Sequence, residues 1–475
     1  MLRRASAFVL IAVAILTMAC TVPLGPGFHT EKELLEVRFV SGSPPHLQFR
    51  ATFTLKNSGN APLDALDLSL PNEKDFGRSN LLIAVDGAAI SPHPVAEPAA
   101  LAEQAPSQTR VRIRFASPWP QNARRTLVVS YEFRQATTRG ALLEIGEDSF
   151  TLSAESWYPV LRAPNHLFAK GDAPPGRFDF SVFVPQDFLV HAPGHPRGKK
   201  RRAAESEFRF RIREDDFSPF VVAGRYHEQR FSDSKSIILF WTFQPLPKNE
   251  VQRTGVRFAS AVRFFEKSFG PRGKGSRPVW LVEIGGMNTP EVATLTSGQV
   301  AAGISESGLS SAEFLLATTW FNHLVTPLQG LDRVIASALA EYAVLALADA
   351  RGDSAGLNSQ VRVWLRLYDN EEDRRREKEG SLVDMASSDS VLHIFWAETK
   401  TKLLVVALRD FCGAEIFQRG VLRMIQGLRG RTYSFTDLRV ALEAESGKDL
   451  GDFFRLWLNQ PGIPADFRAR YAPAK

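Results

Sequence analysis

Alternation of apolar and polar residues dominates the first half of the chain, from about Glu36 to Phe231. It is clearest at residues 49–55, 111–115, 126–131, 178–182 and 208–212. A period of two puts successive side chains on opposite faces of a strand, and turn residues separate these runs. The pattern therefore predicts an N-terminal antiparallel β-sandwich, with the proline- and alanine-rich residues 91–108 as a long loop within it.

The second half of the chain changes from strand to helix periodicity. Residues 237–241 and 279–284 are predicted strands on either side of a helix at about 250–269, which makes a small α/β layer. Ser310 and Glu313 match a capping box for a helix that extends to about His323, and Asp332 is the expected N-cap of a helix that stops before Gly352. Further helices are predicted at 391–411, 414–428, 436–445 and 450–458. The predicted domains are a β-sandwich at 31–232, a small α/β subdomain at 233–300 and a helical subdomain at 301–470.

Composition and charge are those of a multidomain globular protein. The chain has 475 residues, 44% of them hydrophobic and 23% charged, with a formal net charge of +6. This modest charge does not predict nucleic-acid binding. One basic run, residues 197–202, follows His191 and His195; we interpret it as a solvated hairpin tip, with contact to anionic lipid head groups as the alternative.

The first residues predict export. Residues 1–19 resemble a secretory signal peptide, with Arg3 and Arg4 before an apolar stretch that is too short to span a bilayer comfortably. The segment that ends in Cys20 resembles a lipobox, which implies acylation of Cys20 and, with Thr21 after it, sorting to the bacterial outer membrane. A soluble secreted or periplasmic protein is the alternative. Cys412 is the only other cysteine, and we interpret it as a buried apolar residue.

Several segments resemble the aminopeptidase N family of zinc peptidases, the thermolysin-like gluzincins. Residues 320–327 are similar to its W-F-G-N-L-V-T-P segment, and residues 340–342 to the end of its N-E-G-F-A-E-Y segment. Residues 157–159 and 457–464 also fit. The resemblance implies an N-terminal β-sandwich followed by a thermolysin-like domain, and it covers the chain from about Glu31 to the end.

The family's zinc motif, H-E-x-x-H, is absent from its expected place. Counting back from Trp320 places the first histidine at Phe314 and the second at Thr318, with Leu315 at the catalytic glutamate. The third ligand falls on Ser337, and the A-E-Y segment gives the same register. Because these side chains are poor or impossible zinc ligands, the sequence predicts no bound zinc and no other cofactor.

Two further family features are altered. Gly285, Gly286, Met287 and Asn288 resemble the family's G-A-M-E-N motif without the glutamate that grips a peptide amino terminus. The position of the family's transition-state tyrosine falls on Glu398. The candidate groove residues are Gly285, Gly286, Met287, Asn288, Glu341 and Tyr342. The edge strand itself could pair with an extended peptide.

Other sites give weaker signals. His191 and His195 form a close pair without an adjacent carboxylate or thiol, while His323 and His393 fall in the helical domain and could meet in the fold. Glu341 could serve as an acid or base, or as a structural hydrogen-bond acceptor. No nucleophile elbow, P-loop or dinucleotide-binding fingerprint occurs in the sequence.

Three functions therefore remain open. The chain is predicted to be a catalytically inactive relative of the peptidases that binds peptides or envelope proteins through the former groove. The alternatives are an active hydrolase with a relocated or metal-free site, and a purely structural lipoprotein without a small peptide ligand.

Overall fold

The computed structural model describes residues 27–71, 73, 77–94, 108–134, 143–152, 157–162, 177–192, 194–212, 221–272, 278–283, 295–296, 299–302, 309–328, 330–352, 355–370, 373, 377–388 and 390–471. Contacts between Cα atoms divide them into two compact units. The first unit contains the described residues of Met1–Ala141, Ser156–Val184 and Pro196–Glu214. The second contains those of Leu142–Glu155, Pro185–His195 and Asp215–Lys475.

The described strands follow one another through both units. They are β1 (Phe28–Val40), β2 (His46–Asn57), β3 (Leu63–Pro71), β4 (Arg78–Val85), β5 (Ala88–Ala89), β6 (His93–Pro94), β7 (Gln108–Trp119), β8 (Arg124–Phe133), β9 (Leu143–Ile145), β10 (Ser149–Leu152), β11 (Val160–Arg162), β12 (Phe178–Pro185), β13 (Leu189–His191), β14 (His195–Arg201), β15 (Glu205–Ile212), β16 (Val221–Gly224), β17 (His227–Ser232), β18 (Ile237–Thr242), β19 (Val279–Val282), β20 (Leu295–Thr296), β21 (Gln299–Ala302), β22 (Thr326–Pro327) and β23 (Thr432–Tyr433).

The helices whose bounds the structure gives all lie in the second unit. They are α1 (Lys248–Phe269), α2 (Leu309–Thr318), α3 (Leu331–Ala350), α4 (Ala355–Tyr368), α5 (Leu382–Ala386), α6 (Val391–Cys412), α7 (Ala414–Gly427), α8 (Phe435–Ser446), α9 (Gly451–Asn459) and α10 (Ala465–Tyr471). A π-helical turn, Thr319–Leu324, continues α2. Within the described part of the chain, no helix combines the length and the apolar character that crossing a bilayer requires.

The first unit is a pair of sheets, as the alternating pattern predicts. One sheet has the strand order β14–β15–β12–β1–β2–β8–β4–β5 and the other β11–β3–β7–β6. Strand β1 runs parallel to β12 and antiparallel to β2. Aromatic side chains fill the core: the ring of Phe28 on β1 lies 5.9 Å from that of Trp119 on β7, and Phe49 lies 5.4 Å from Trp157. The apolar faces of the strands are therefore buried against each other.

Several polar groups are buried in this unit, among them the carboxyl groups of Asp67 and Glu33. The Asp67 side chain is 0% exposed and accepts hydrogen bonds from Arg110 at 2.5 Å and from Arg112 at 2.7 Å and 3.0 Å. Glu33 is 5% exposed on the inward face of β1, and one of its carboxylate oxygens has no hydrogen-bond donor among the described residues. Burial raises the pKa of Glu33 to about 8, so the carboxyl is mostly protonated at neutral pH.

The second unit begins with two sheets. One has the order β13–β16–β10–β9; the other, β17–β18–β19–β21–β20, has parallel pairing from β18 through β19 to β21. Helix α1 packs against β17 at Gly255, where an added Cβ would overlap the side chain of Phe231. A continuous apolar core then joins α1 to the later helices, with Phe258, Trp320 and Trp396 among its buried side chains.

The predicted helix caps are wrong, and the carboxylates of Glu313 and Asp332 bind partners far along the chain instead. Helix α2 already begins at Leu309, so Ser310 lies inside it, and the buried Glu313 carboxylate binds Arg257 and Arg351. Helix α3 begins at Leu331 after Gly330, and Asp332 instead accepts a hydrogen bond from the Phe435 backbone N–H at 2.7 Å. Sequence periodicity locates helices but does not show which polar side chains serve distant elements.

The basic run is solvated, as predicted, but most of it is strand, and His191 differs from the prediction. Residues 197–201 belong to β14, an exposed edge strand of the eight-stranded sheet, and Arg202 begins the turn to β15, where its backbone N–H donates to the Glu205 carbonyl at 2.8 Å. His191 is 5% exposed, and its ring lies 4.3 Å from that of Trp280, so it is not in a solvated loop. Burial lowers the pKa of His191 to about 3 and keeps the imidazole neutral.

Candidate functional site

Helix α2 carries the positions that the family resemblance assigns to the zinc motif. Phe314 and Leu315 are half-buried and pack against the core of the second unit. Leu316 and Ala317 are fully buried, and the next residues turn Trp320 inward, where its indole N–H donates to the Gly270 carbonyl at 2.8 Å. Apolar residues occupy nearly every side of this part of the helix, so the helix is packed in the interior of the second unit.

The second histidine position, Thr318, has a hydroxyl that is already engaged. Its side chain is buried, and Oγ1 donates a hydrogen bond at 2.8 Å to the Leu315 carbonyl of the same helix. A threonine hydroxyl in a helix interior commonly donates its hydrogen bond to a backbone carbonyl of the preceding turn, and needs no partner elsewhere. Thr318 therefore contributes packing and a local hydrogen bond.

These residues do not fit a zinc ion. Zinc takes imidazole nitrogen, thiolate or carboxylate ligands, and Phe314 has no donor atom at all. Thr318 and Ser337 carry neutral hydroxyls, which are poor zinc ligands at physiological pH. Within the part of the chain that the structure describes, no group of three or more His, Cys, Asp or Glu side chains is placed to hold a metal ion.

Helix α3 places a carboxylate one turn beyond the third ligand position. Ser337 is half-buried, and Glu341 follows it by four residues on the same helix face. Glu341 Oε2 lies 2.7 Å from Nζ of Lys402 on α6, and the two side chains are 29% and 23% exposed. The Glu341 carboxylate is therefore fixed by a partly buried ion pair.

Lys402 is a member of this site that sequence reasoning missed. Its Nζ lies 5.7 Å from the ring centroid of Trp364 on α4, within the range of a cation–π contact. Glu398, the position of the family's tyrosine, precedes Lys402 by four residues on α6 and is exposed. The spacing of Glu398 and Lys402 was the available signal, since residues four apart share a helix face.

Tyr342 belongs to a different environment from its neighbour Glu341. It is 9% exposed, and its ring lies edge-on to Phe417 of α7 at 5.1 Å. Burial raises the pKa of the Tyr342 phenol, while the nearby Arg409 guanidinium acts in the opposite direction through its charge and a hydrogen bond. The structure thus places Tyr342 in the packing between helices.

The other tyrosines near the predicted position are also buried. Tyr368 is 0% exposed and its hydroxyl donates to Glu379, and Tyr433 is 1% exposed. Burial raises the pKa of Tyr433 far above its ordinary value. Both phenols are enclosed by the core, so neither supplies an accessible replacement for the family's tyrosine.

The remaining predicted residues divide into two groups. Gly285, Gly286, Met287, Asn288 and Cys20 lie outside the described residues, as does the side chain of His323. His393 is held at the start of α6, with ring nitrogens 2.9 Å from Ser388 Oγ and 3.1 Å from the Lys378 carbonyl. Cys412 is buried at the end of α6, as predicted, and burial raises the pKa of its thiol.

Comparison with solved structures identifies similar folds. The M1 zinc metallopeptidase from Deinococcus radiodurans matches with a TM-score of 0.62 and 16% sequence identity, over 93% of this chain and 96% of that one. A mutant of an M1 zinc metallopeptidase from the same organism, bound to a Tyr-Ser-Ala substrate, matches with a TM-score of 0.60 and 17% identity, over 92% and 95% of the two chains. A two-domain M1 zinc metallopeptidase mutant bound to L-arginine gives 0.62 and 17%.

At the level of sequence, no protein-family profile and no curated protein matches this chain. The likeness to the solved structures nevertheless extends over nearly the whole length of both chains. The sheet-rich N-terminal part and the helical C-terminal part together have the fold of a two-domain M1 zinc metallopeptidase.

Proposed function

We propose that this chain is a catalytically inactive, aminopeptidase-like protein of the bacterial envelope that binds peptides or envelope proteins. The observation that carries the proposal is the chemistry at the assigned zinc positions. Phe314, Leu315 and Thr318 are used for packing and for a hydrogen bond within their own helix. A fold can keep its binding surface after its catalytic groups are lost, because function resides in the site.

The proposed recognition surface centres on the charged groups of α3 and α6. Glu341 and Lys402 form the ion pair described above, and Glu398 adds an exposed carboxylate one turn away. Such groups can pair with the terminal and side-chain charges of a peptide, and an extended backbone can add hydrogen bonds. We assign Gly285, Gly286, Met287 and Asn288 to the same surface on their resemblance to the family motif.

The envelope location rests on the N-terminal segment. Residues 1–19 resemble a signal peptide and Cys20 stands at the modified position of a lipobox. Acylation there would attach the chain to the outer membrane on its periplasmic side. Replacement Cys20→Ser should then move the protein from the membrane fraction to the soluble periplasmic fraction, while an unchanged distribution would exclude a lipid anchor.

Binding of a labelled tripeptide library to the purified chain tests the proposed activity. Glu398→Lys is the informative variant, because Glu398 is exposed and its replacement leaves the core intact. Arg455→Gln on α9 is the matched control, since Arg455 is exposed and its ion pair is with Asp452 in the same helix. We expect Glu398→Lys to weaken the affinity for the peptides that the wild type binds at least fivefold, or to change by the same factor which peptides are preferred. Arg455→Gln should leave the peptide affinities unchanged.

Two outcomes would replace this proposal. Cleavage of library peptides by the purified chain would favour the active hydrolase with a relocated or metal-free site. Absence of any tripeptide binding, together with stable co-purification of an envelope protein, would favour the purely structural lipoprotein.

A further inference from the structure

A polar cavity lies in the helical part of the second unit, where α4, α6, α7 and α10 meet. Its volume is about 440 Å³, within the range of small-molecule sites. The lining side chains that matter are Asn358 and Arg362 from α4, Arg409 and Asp410 from α6, and Arg470 and Tyr471 from α10. None of them belongs to the recognition surface proposed above.

The cavity carries an excess of positive charge. Among the described lining residues are three guanidinium groups and one carboxylate, and arginine stays protonated at all physiological pH values. Asp410 is already engaged: it accepts from Arg409 Nη1 at 2.8 Å and from the Tyr471 hydroxyl at 2.7 Å, and it lies 3.1 Å from Arg470 Nη1. The Asp410 side chain is 7% exposed, so it orients the arginines and leaves a net charge of +2.

Several hydrogen-bond donors at this cavity have no protein acceptor among the described residues. Arg409 Nε is buried without an acceptor among the described residues, which is costly unless another group satisfies it. Arg362 bonds the Tyr471 carbonyl through Nε at 3.2 Å, and its two terminal nitrogens have no acceptor in the described part of the protein. The same holds for the side-chain amide of Asn358, which is exposed.

The N-terminus of α7 adds backbone hydrogen-bond donors to the cavity. Gly413 and Ala414 line the cavity, and within the described part of the chain no side chain caps this helix of 14 residues. The first backbone N–H groups of a helix have no partner within it. Unused donors from α4, α6 and the α7 terminus therefore surround one space.

We propose that this cavity binds a phosphate group, either free phosphate or the phosphate of a small phosphomonoester. A phosphate dianion matches the net charge of the lining residues. Its tetrahedral oxygens can accept hydrogen bonds from several directions at once, whereas a planar carboxylate suits a single guanidinium fork. The volume leaves room for a small organic group attached to the phosphate.

Calorimetric titration of the purified chain with inorganic phosphate and with glycerol 3-phosphate tests this proposal. We expect binding of at least one of them. Comparable affinities would identify free phosphate as the ligand, and at least tenfold tighter binding of glycerol 3-phosphate would identify a phosphomonoester.

Two variants locate the site. Asn358→Asp adds a negative charge at an exposed position, and Arg362→Gln removes a donor pair; each should weaken binding at least tenfold, while Arg455→Gln should not change it. If Arg362→Gln also loosens α10, Asn358→Asp alone decides the matter. No binding of either compound, or equal binding by the wild type and Asn358→Asp, would overturn the proposal.

Discussion

The ion pair between Glu341 and Lys402 should couple α3 to α6 near the positions that the sequence resemblance assigns to a zinc ligand, Ser337, and to the family's tyrosine, Glu398. The replacements Glu341→Gln, Lys402→Met and their combination form a double-mutant cycle. Each single variant leaves one charge without its partner at 29% or 23% exposure, whereas the double variant removes both. The coupling free energy is therefore the quantity to measure.

Its magnitude follows from distance and burial. Hydrogen bonds to charged groups contribute about 1.5–3 kcal/mol when they are protected from water, and exposed ion pairs contribute about 0.2–1 kcal/mol. At a separation of 2.7 Å with about a quarter of each side chain exposed, we expect a coupling of about 1–2 kcal/mol. This corresponds to roughly a 5- to 30-fold change in the folding equilibrium constant.

Urea denaturation followed by circular dichroism at 222 nm provides the assay, because helices α1 to α10 all lie in the second unit. The control cycle uses Arg455 and Asp452, which are 68% and 90% exposed and should show coupling near zero. Raising the salt concentration to about 1 M should reduce the coupling of the partly buried pair only in part. A coupling no larger than that of the control would refute the reasoning.

Three other substitutions test the packing inside each of the two units. Asp67→Ala should destabilise the β-sandwich by about 3–5 kcal/mol in urea denaturation, because it leaves the buried Arg110 unpaired; an effect below about 1 kcal/mol would contradict this account. Because the pKa of Glu33 is about 8 in the folded chain, against an ordinary value of 4.5, the folded state binds more protons between these values, so stability should fall as pH rises from about 4.5 to 8. Glu33→Gln should flatten that profile, measured as the urea midpoint against pH, and an unchanged slope would assign it to other groups. Gly255→Ala should lower the free energy of unfolding by about 1–3 kcal/mol, because the added Cβ would overlap the Phe231 ring. An unchanged thermal denaturation midpoint would show that the ring can move aside.

Much of the secondary structure could be predicted from local patterns. Each alternating segment falls on an observed strand, and the predicted helix at 391–411 is observed as Val391–Cys412. The amphipathic helix α4 was missed, as was the π-helical turn after α2. A π-helical turn depends on where Trp320 and Phe321 are packed, which helix periodicity alone does not encode.

The candidate site was predictable only in part. A motif count sufficed to find Phe314, Thr318 and Ser337, because identity and spacing are properties of the sequence. The partners of the polar residues were not predictable from the sequence, because Glu341 and Lys402 lie on two helices that are far apart in the chain. The arginine cavity likewise gathers residues from α4, α6 and α10, and no local pattern indicates that these helices meet.

Zinc content per chain, measured by mass spectrometry on the purified protein after exposure to excess zinc, tests the central claim most directly. A peptidase assay on the same samples should accompany it. The account predicts substoichiometric zinc and no turnover, because Phe314, Thr318 and Ser337 offer no adequate ligands. One tightly bound zinc per chain, with cleavage of peptide substrates, would contradict it.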